Sequence, residues 1–551
     1  MSLLIPYFRS DPLSLFIGGF VLFFFALTVL YSVGFLRGRS GLGRYYAYVI
    51  LTLVASLGAV FADHLIVFIV CWGFLGFLLY LLIHFGRRER TPATAKKALI
   101  IVAGADVLMI LGIALLWRLT GFLRMSDIHV ALTSRSAIVA YLCLASGALA
   151  KAGSMPFHSW VPDTAEDAPI PVTAYLPASL DKLLGIYLLV RLSLGLFQMT
   201  PAMNTLLMTA GSLTIVAAVM MALVQHDLKR LLGYHAVSQV GYMVLGIGTG
   251  NPVGIAGGLF HMLNNAIYKN CLFLGGGAVE KNAGTTELDK LGGLARAMPV
   301  TFGAFLVAAL AISGVPPLNG FASKWMIYQG IIESARTGSP LGLVWLVAAM
   351  FGSALTLASF MKVVHAVFLG QPSVEQQQRK TPSAEVGLSM QIPMVTLAVL
   401  CLLFGVFAAS LPLRMWIFPS LGSAVDYPGI WNAGLTTVLL VVGMLVGLLI
   451  YWVGTMAKTR ETAIFTGGET VEEYPEMRVS GTEFYHTISE WGCLKTIYGL
   501  AEKRRFDPYD LGVELTLRVN RLMQYLHNGI LPTYLSWGLF GAAILFLFLM
   551  G

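Results

Sequence analysis

Three lysines lie in stretches otherwise apolar enough to cross a membrane. They are Lys151 in C-L-A-S-G-A-L-A-K-A-G-S-M-P-F, Lys269 in G-G-L-F-H-M-L-N-N-A-I-Y-K-N-C-L-F-L-G-G-G, and Lys324 beside the helix-breaking G-V-P-P-L-N-G-F-A-S-K-W. An ionisable side chain at that depth is costly without a partner or water, so it marks a functional site by default. Burial disfavours a lysine's charged form, and a neighbouring charge can reverse that balance. The chemistry these residues offer is movement of charge within a membrane.

The elements that hold them follow from composition. Hydrophobic residues make up 57% of the 551 and charged residues 12%, arranged as long apolar runs separated by short polar connectors. An all-α polytopic membrane protein is expected, with about fourteen crossings by the twenty-residue criterion. They fall near 13–36, 45–61, 64–85, 98–117, 137–165, 170–193, 204–224, 230–249, 253–278, 298–335, 342–369, 389–411, 434–456 and 533–550. The first run is too long for a signal peptide and has no small-residue cleavage site, so it stays as a helix. Basic residues collect on one face: Arg37, Arg39 and Arg44; Arg87, Arg88, Arg90, Lys96 and Lys97; Lys229 and Arg230; Lys281, Lys290 and Arg296. The positive-inside rule makes that face cytoplasmic and the amino terminus external, in a cell's inner membrane. The opposite face is poorer in charge apart from Arg118, Arg124 and Arg135. The net charge of +8 therefore reflects topology and not nucleic-acid binding. Four cysteines lie in spans and Cys493 in a polar segment, without metal-ligand spacing, so neither a disulfide framework nor a metal site is expected.

Two spans are expected to be broken, at Pro156 in S-M-P-F-H-S-W-V-P-D and at Pro316 and Pro317 in G-V-P-P-L-N-G. Proline removes a backbone donor and clashes with the preceding turn. Opened backbone at membrane depth is tolerated where protein buries it or a wet cavity meets it. A kink alone is weak evidence, but each of these lies close to a lysine. Five spans separate the breaks, and an odd offset sets two units in opposite orientations, as in inverted repeats built around discontinuous helices. The expected organisation is N-terminal spans over 1–97, including the start of the first repeat, then two inverted five-helix repeats placed at 64–193 and 204–369. Additional spans follow at 389–456, then a cytoplasmic lateral segment over 457–530 and an anchoring span over 531–551.

The blocks 148–174 (A-L-A-K-A-G-S-M-P-F-H-S-W-V-P-D-T-A-E-D-A-P-I-P-V-T-A), 226–243 (H-D-L-K-R-L-L-G-Y-H-A-V-S-Q-V-G-Y-M), 260–273 and 313–324 resemble a known family. It comprises the antiporter-like subunits of respiratory complex I, of multisubunit cation/proton antiporters and of energy-converting membrane-bound hydrogenases. The likeness covers residues 10–370 in the right order. It implies a membrane module that moves protons, or sodium in some relatives, while a partner redox assembly or an ion gradient drives it. The lysine matching Lys151 is a proton carrier in the first broken helix, the one matching Lys269 lies on the central axis, and the one matching Lys324 serves the second half-channel. His261 matches a histidine that helps connect them. His261 and Lys269 are two helical turns apart with Asn265 between, so all three share a face that a water wire could follow. A lone intramembrane histidine is more often a helix-to-helix hydrogen bond; the lysine at the end of the row favours a relay.

The chain departs from the family in two places. Family members carry a glutamate after a tryptophan, where it pairs with the first lysine; here C-W-G-F-L-G puts Gly73 after Trp72. Either another acid substitutes or the first half-channel works differently. Asp181, in P-A-S-L-D-K-L-L-G beside Lys182, is the best substitute, although the two could form a static pair. Asp106, in G-A-D, matches an acidic family position, its plainer reading being a satisfied interhelical hydrogen bond. Larger family members also begin with two further spans before the block that reads D-P-L-S-L-F-I here, and whatever packs on those helices is expected to be missing or supplied by another subunit.

After the thirteenth span the chain is polar for about seventy residues, too long for a simple connector. Phe484, Ile488, Trp491 and Leu494, then Leu511, Leu515, Val519, Leu522 and Leu526, recur at helical spacing, with Asp507-Pro508 dividing the stretches. An amphipathic segment of this kind lies along the membrane face or against partners. It resembles a shortened lateral helix of the large complex I subunit. F-T-G-G-E (465–469) and L-H-N-G-I-L-P-T-Y-L (526–535) resemble the hydrogenase and formate hydrogenlyase subunits more closely. The partners this implies are other membrane subunits and, through them, a cytoplasmic redox arm. Two other readings stand beside it: the membrane half of an inorganic-carbon uptake pair, and a non-pumping scaffold. No cysteine cluster or dinucleotide glycine motif is present, so no flavin, quinone, nickel or iron–sulfur cofactor is expected on this chain.

Overall fold

The computed structural model describes residues 7–336, 338, 341–373, 384–422, 433–453, 481–485 and 490–550. These divide into two compact units, Met1–Ser489 and Glu490–Gly551. Both are helical. Among the described residues the strands are a two-residue parallel pair, β1 (Val130–Ala131) against β2 (Phe197–Gln198), which joins two connectors at one end of the helices.

The first unit opens with α1 (Pro12–Phe35), α2 (Leu42–Phe61), α3 (Leu65–His84) and α4 (Thr91–Thr120). It continues with α5 (Arg135–Ala152), α6 (Trp160–Asp167), α7 (Ile170–Tyr175) and α8 (Asp181–Val190). The middle of the chain forms α9 (Pro201–Leu223), α10 (Leu228–Gly248), α11 (Pro252–Ala283), α12 (Pro299–Ser313), α13 (Asn319–Arg336) and α14 (Gly342–Val364), followed by α15 (Leu388–Val406) and α16 (Ala433–Val453). Several starts follow one rule, a polar cap followed by proline: Asp11-Pro12, Thr200-Pro201 and Asn251-Pro252, where the cap oxygen accepts an amide that has no intrahelical partner. Asp11 and Ser14 complete a reciprocal capping box.

Nine helices among the described residues are long and apolar enough to cross a membrane, and the protein is a multi-pass membrane protein. These nine occupy nine of the fourteen expected spans. The range 434–456 holds the apolar helix α16, and 170–193, 230–249, 253–278 and 298–335 hold helix as well but do not meet that criterion as single uninterrupted apolar helices. The reason is clearest in α11. Every residue from Val253 to Val279 is buried, His261, Asn264, Asn265, Lys269 and Asn270 among them. A helix enclosed by protein on all sides need not be apolar, and this one packs against α7, α8, α10, α12, α13 and α15. At 32 residues it is about 48 Å long.

Both proline-bearing spans are interrupted. α5 stops at Gly153 and α6 begins at Trp160; α12 stops at Gly314 and α13 begins at Asn319. Each stop is a left-handed glycine, φ +78° at Gly153 and +82° at Gly314. The region 170–196 is irregular too, with π-helical turns at 176–180 and 191–196 flanking α8.

The second unit holds α17 (Gly492–Glu502), α18 (Pro508–Leu526) and α19 (Leu531–Met550). Asp507 caps α18 through the Tyr509 amide and Pro508 takes its first position. Leu511, Leu515, Val519 and Leu522 are exposed along α18. Ile488 and the F-T-G-G-E block lie outside the described residues, as do 457–480 and 486–489 as a whole.

Candidate functional site

The break after α5 frees carbonyls, and neighbours satisfy them. Trp160 Nε1 donates to Ala150 O at 3.1 Å, and the amides of Gly153 and Ser154 return to Leu149 O, both at 2.9 Å. Lys151, fully buried in the last turn of α5, donates to Trp72 O at 3.4 Å and sits 4.9 Å from the centre of the Trp72 ring. The same indole donates Nε1–H to Asp106 Oδ1 at 3.0 Å. Lys151 is therefore clasped by a tryptophan whose other edge holds a carboxylate, and both Asp106 and Asp181 lie within its electrostatic reach. Gly73 leaves its position open: a Cβ there would meet nothing within 4 Å.

Asp181 and Lys182 are not hydrogen-bonded to each other. Asp181 Oδ2 and Lys182 Nζ are buried with no hydrogen-bond partner among the described residues. Lys182 points at the break, its Nζ 3.3 Å from where a Cβ on Gly153 would lie. It also lies within electrostatic reach of Lys269, so it stands between the first lysine cluster and the centre.

Lys269 occupies an apolar collar at that centre. Its Nζ lies 5.6 Å from the Phe360 ring centre and 5.9 Å from that of Phe273, and has no hydrogen-bond partner among the described residues. The faces of these rings supply a weak attraction for a cation and no site for its proton. On the same face of α11, Asn265 Nδ2 donates to Ala178 O at 3.5 Å, in the π-helical turn just before Asp181.

Lys324 closes the second break. Its Nζ donates to Ile312 O at 2.8 Å, in the last turn of α12, and lies 4.8 Å from the Tyr242 ring centre. An ammonium at a helix carboxyl end is favoured by the helix dipole. Ser323, next to it, lies 2.9 Å through Oγ from His261 Nδ1; His261 Nε2 lies 3.1 Å from Gln239 Oε1 and 3.3 Å from Tyr268 OH. The histidine thus joins α13 to α10 beside Lys324, while Tyr268 precedes Lys269. Gln239, Tyr268 and Ser323 stand in the resembling blocks, but nothing in their spacing marks them as partners of His261.

At the basic end, several lysines and arginines read as topology signals are engaged more closely. Lys97 pairs with Asp163 at 2.8 Å, Arg230 with Glu166 at 2.7 Å and Asp163 at 3.5 Å, and Arg88 with Glu166 at 3.7 Å. Thr94 donates to Asp167 at 2.5 Å. The acids all belong to α6, the short helix after the first break, and the bases to α4, α10 and the connector before α4. This network fixes α6 against α4 and α10.

The structure is a helical membrane fold with two interrupted spans and a buried file of lysines. The chain matches the family described as NADH:quinone oxidoreductase/Mrp antiporter, TM over residues 62–356, more than half its length, and it belongs to that family. Among its relatives, the Na(+)/H(+) antiporter subunit A1 of Staphylococcus haemolyticus (strain JCSC1435) is 32% identical over 406 residues, covering 69% of this chain and 50% of the relative. That of Staphylococcus saprophyticus is 31% identical over 407 residues, covering 70% and 50%. The chain spans about half the length of the curated relatives it matches. A chain of the Mrp complex from Dietzia sp. DQ12-45-1b shares the fold at TM-score 0.68 and 23% identity, covering 78% of this chain and 86% of that one. A chain of the membrane-bound sulfane sulfur reductase, an archaeal respiratory membrane complex, gives TM-score 0.78 at 25% identity, covering 97% and 89%. Relatives and structural neighbours alike are subunits of multisubunit membrane complexes.

Proposed function

We propose that this chain is an ion-translocating, antiporter-like subunit of a complex I-related redox complex of the hydrogenase or formate hydrogenlyase kind. It moves protons through its buried side chains, with electron chemistry left to a cytoplasmic arm held by partner subunits. The observation that carries the reading is the file of buried ionisable groups: Asp106 and Lys151, Asp181 and Lys182, Lys269, and His261 with Lys324. A structural bundle would have no use for so many buried charges with so few ion-pair partners. Two features support a redox complex. The sulfane sulfur reductase neighbour matches almost the whole chain, and the exposed apolar stripe of α18 suits docking on the membrane face or on partners. The amino terminus is placed outside and the basic end in the cytoplasm.

A second reading is a cation/proton antiporter of the Mrp kind, favoured by the curated relatives, which are named Na(+)/H(+) antiporter subunits. One experiment tests both. Proton and sodium uptake is measured in sealed vesicles holding the intact complex, wild type against Lys269→Ala, under a redox drive and under an imposed sodium gradient. Loss of redox-driven proton uptake in Lys269→Ala, with assembly intact, is expected. Sodium-driven exchange without redox dependence supports the second reading, and unchanged uptake in the variant makes the chain a scaffold.

A further inference from the structure

His235 and Lys362 are buried and ionisable, and neither belongs to the file above. Lys362, near the end of α14, turns towards the point where α9 stops and donates to Leu223 O at 2.6 Å and Gln225 O at 3.0 Å. His226, next to Gln225, is 64% exposed and pairs with Asp289 at 3.2 Å, so Lys362 stands one residue from the surface. Three residues earlier on α14, Ser359 Oγ lies 2.8 Å from His235 Nε2. His235 Nδ1 is buried without a hydrogen-bond partner among the described residues, and its ring lies within electrostatic reach of Lys269, Lys324 and Lys362. One side chain, Phe360, neighbours both His235 and Lys269. The Phe360 ring is 4.8 Å, centre to centre, from the His235 ring, and its centre is 5.6 Å from Lys269 Nζ.

We propose that His235, Ser359 and Lys362 form a branch that connects Lys269 to the basic end of the bundle, with Phe360 as its valve. The inference rests on the ion-translocating reading above. When Phe360 swings aside, the Lys269 ammonium releases a proton to Nδ1 of His235. The imidazolium then gives up its Nε2 proton through the Ser359 hydroxyl to neutral Lys362, which delivers it beside Gln225 and His226. The imidazole is left as the Nδ1–H tautomer, and the proton must return to Nε2, by rotation of the ring and exchange with water, before the next one passes in the same direction. Ser359 and Lys362 are one turn apart on α14, so they share a face. With Phe360 in place the apolar ring separates Lys269 from the branch, as coupling requires: an open path would dissipate the gradient.

A structural role for these residues predicts something different, and substitutions separate the two. Lys362→Arg keeps a cation on the Leu223 and Gln225 carbonyls but cannot release a proton in this range. The branch predicts that Lys362→Arg and His235→Ala each lower driven proton uptake about a hundredfold, the low end of what one acid–base group contributes. Phe360→Ala is expected to raise the undriven proton leak severalfold, and adding His235→Ala should return the leak to the wild-type level. The measurements use sealed vesicles holding the intact complex and a pH-sensitive dye, with and without a potassium diffusion potential. Wild-type uptake in Lys362→Arg, or a Phe360→Ala leak that survives removal of His235, overturns the branch. Where His235→Ala fails to assemble, Lys362→Arg and Phe360→Ala carry the test alone. If Lys269→Ala abolishes uptake while Lys362→Arg and His235→Ala leave it intact, the branch fails and the translocating reading stands; if Lys269→Ala also leaves it intact, both fail.

Discussion

At the scale of single residues, the two acids near Lys151 differ in what else holds them. Asp106 accepts the Trp72 indole N–H, a bond that an asparagine oxygen could accept equally well. Asp181 Oδ2 is buried and has no hydrogen-bond partner among the described residues, and its carboxylate lies within electrostatic reach of both Lys151 and Lys182. A group not tied to a fixed donor is free to follow the charge of its neighbours; one that is tied contributes mainly a standing field. Asp181→Asn is therefore expected to resemble Lys151→Ala, each lowering driven proton uptake about a hundredfold, the low end for loss of one acid–base group. Asp106→Asn should have a smaller effect. Vesicle uptake in the three variants checks the ranking, and a silent Asp181→Asn would leave the first half of the protein without a working switch. Lys324→Ala should also depress uptake with assembly intact, since it removes a single hydrogen bond, to the Ile312 carbonyl.

At the scale of elements, the breaks depend on two glycines. A side chain on Gly153 would stand 2.5 Å from Val161 Cγ2, and one on Gly314 3.2 Å from Lys324 Cδ. Both backbones are left-handed, which costs an alanine about 1–2 kcal/mol before any clash. Gly153→Ala is expected to lower the thermal midpoint of the solubilised complex. Gly314→Ala should do so too and also depress uptake, because it displaces the lysine. Gly73→Ala, with open space around it, serves as the neutral comparison. The positions of both breaks were legible in the sequence because proline and glycine act locally. The register of α8 was not: two π-helical turns insert extra residues on either side of Asp181 and Lys182, and no periodicity argument anticipates them. The partners of His261 were hidden for a different reason. Gln239 and Ser323 come from helices 22 and 62 residues away, a proximity that only packing creates. Equally, α10 and α11 are enclosed and can carry polar residues, so hydropathy understates the helices that hold Gln239, His261 and Lys269.

At the scale of the whole first unit, the helices around the buried file are tied at both ends by buried and half-buried ion pairs. The basic end is tied by Asp163 and Glu166 of α6 to Lys97 and Arg230. The opposite end is tied by Arg191, just after α8. Its guanidinium grips Asp11 with bonds of 2.5 and 2.7 Å, and its Nε donates to Tyr187 OH at 3.0 Å, while Tyr187 donates to Val60 O at 2.7 Å. One arginine thereby fastens the start of α1 and the end of α2 to α8. Burial pushes the Asp11 carboxyl up, but the Arg191 hydrogen bonds and charge, with the Ser14 amide, outweigh it and hold the pKa at about 2, below its ordinary 3.8. A depressed carboxyl contributes stability that is fully present above the unfolded value and is lost as pH falls through the folded one. The clamp should therefore stand at neutral pH and weaken between about pH 4 and pH 2, a difference on the order of 1–2 kcal/mol. In Asp11→Asn the bidentate pair is gone at every pH. Thermal melting of the solubilised complex at neutral pH should then show a lower midpoint than wild type, and the gap between the two should shrink on acidification. The absence of a gap at neutral pH would mean that Asp11 acts as the α1 cap alone, a role asparagine fills equally, and that α1 is held to the bundle by its apolar face.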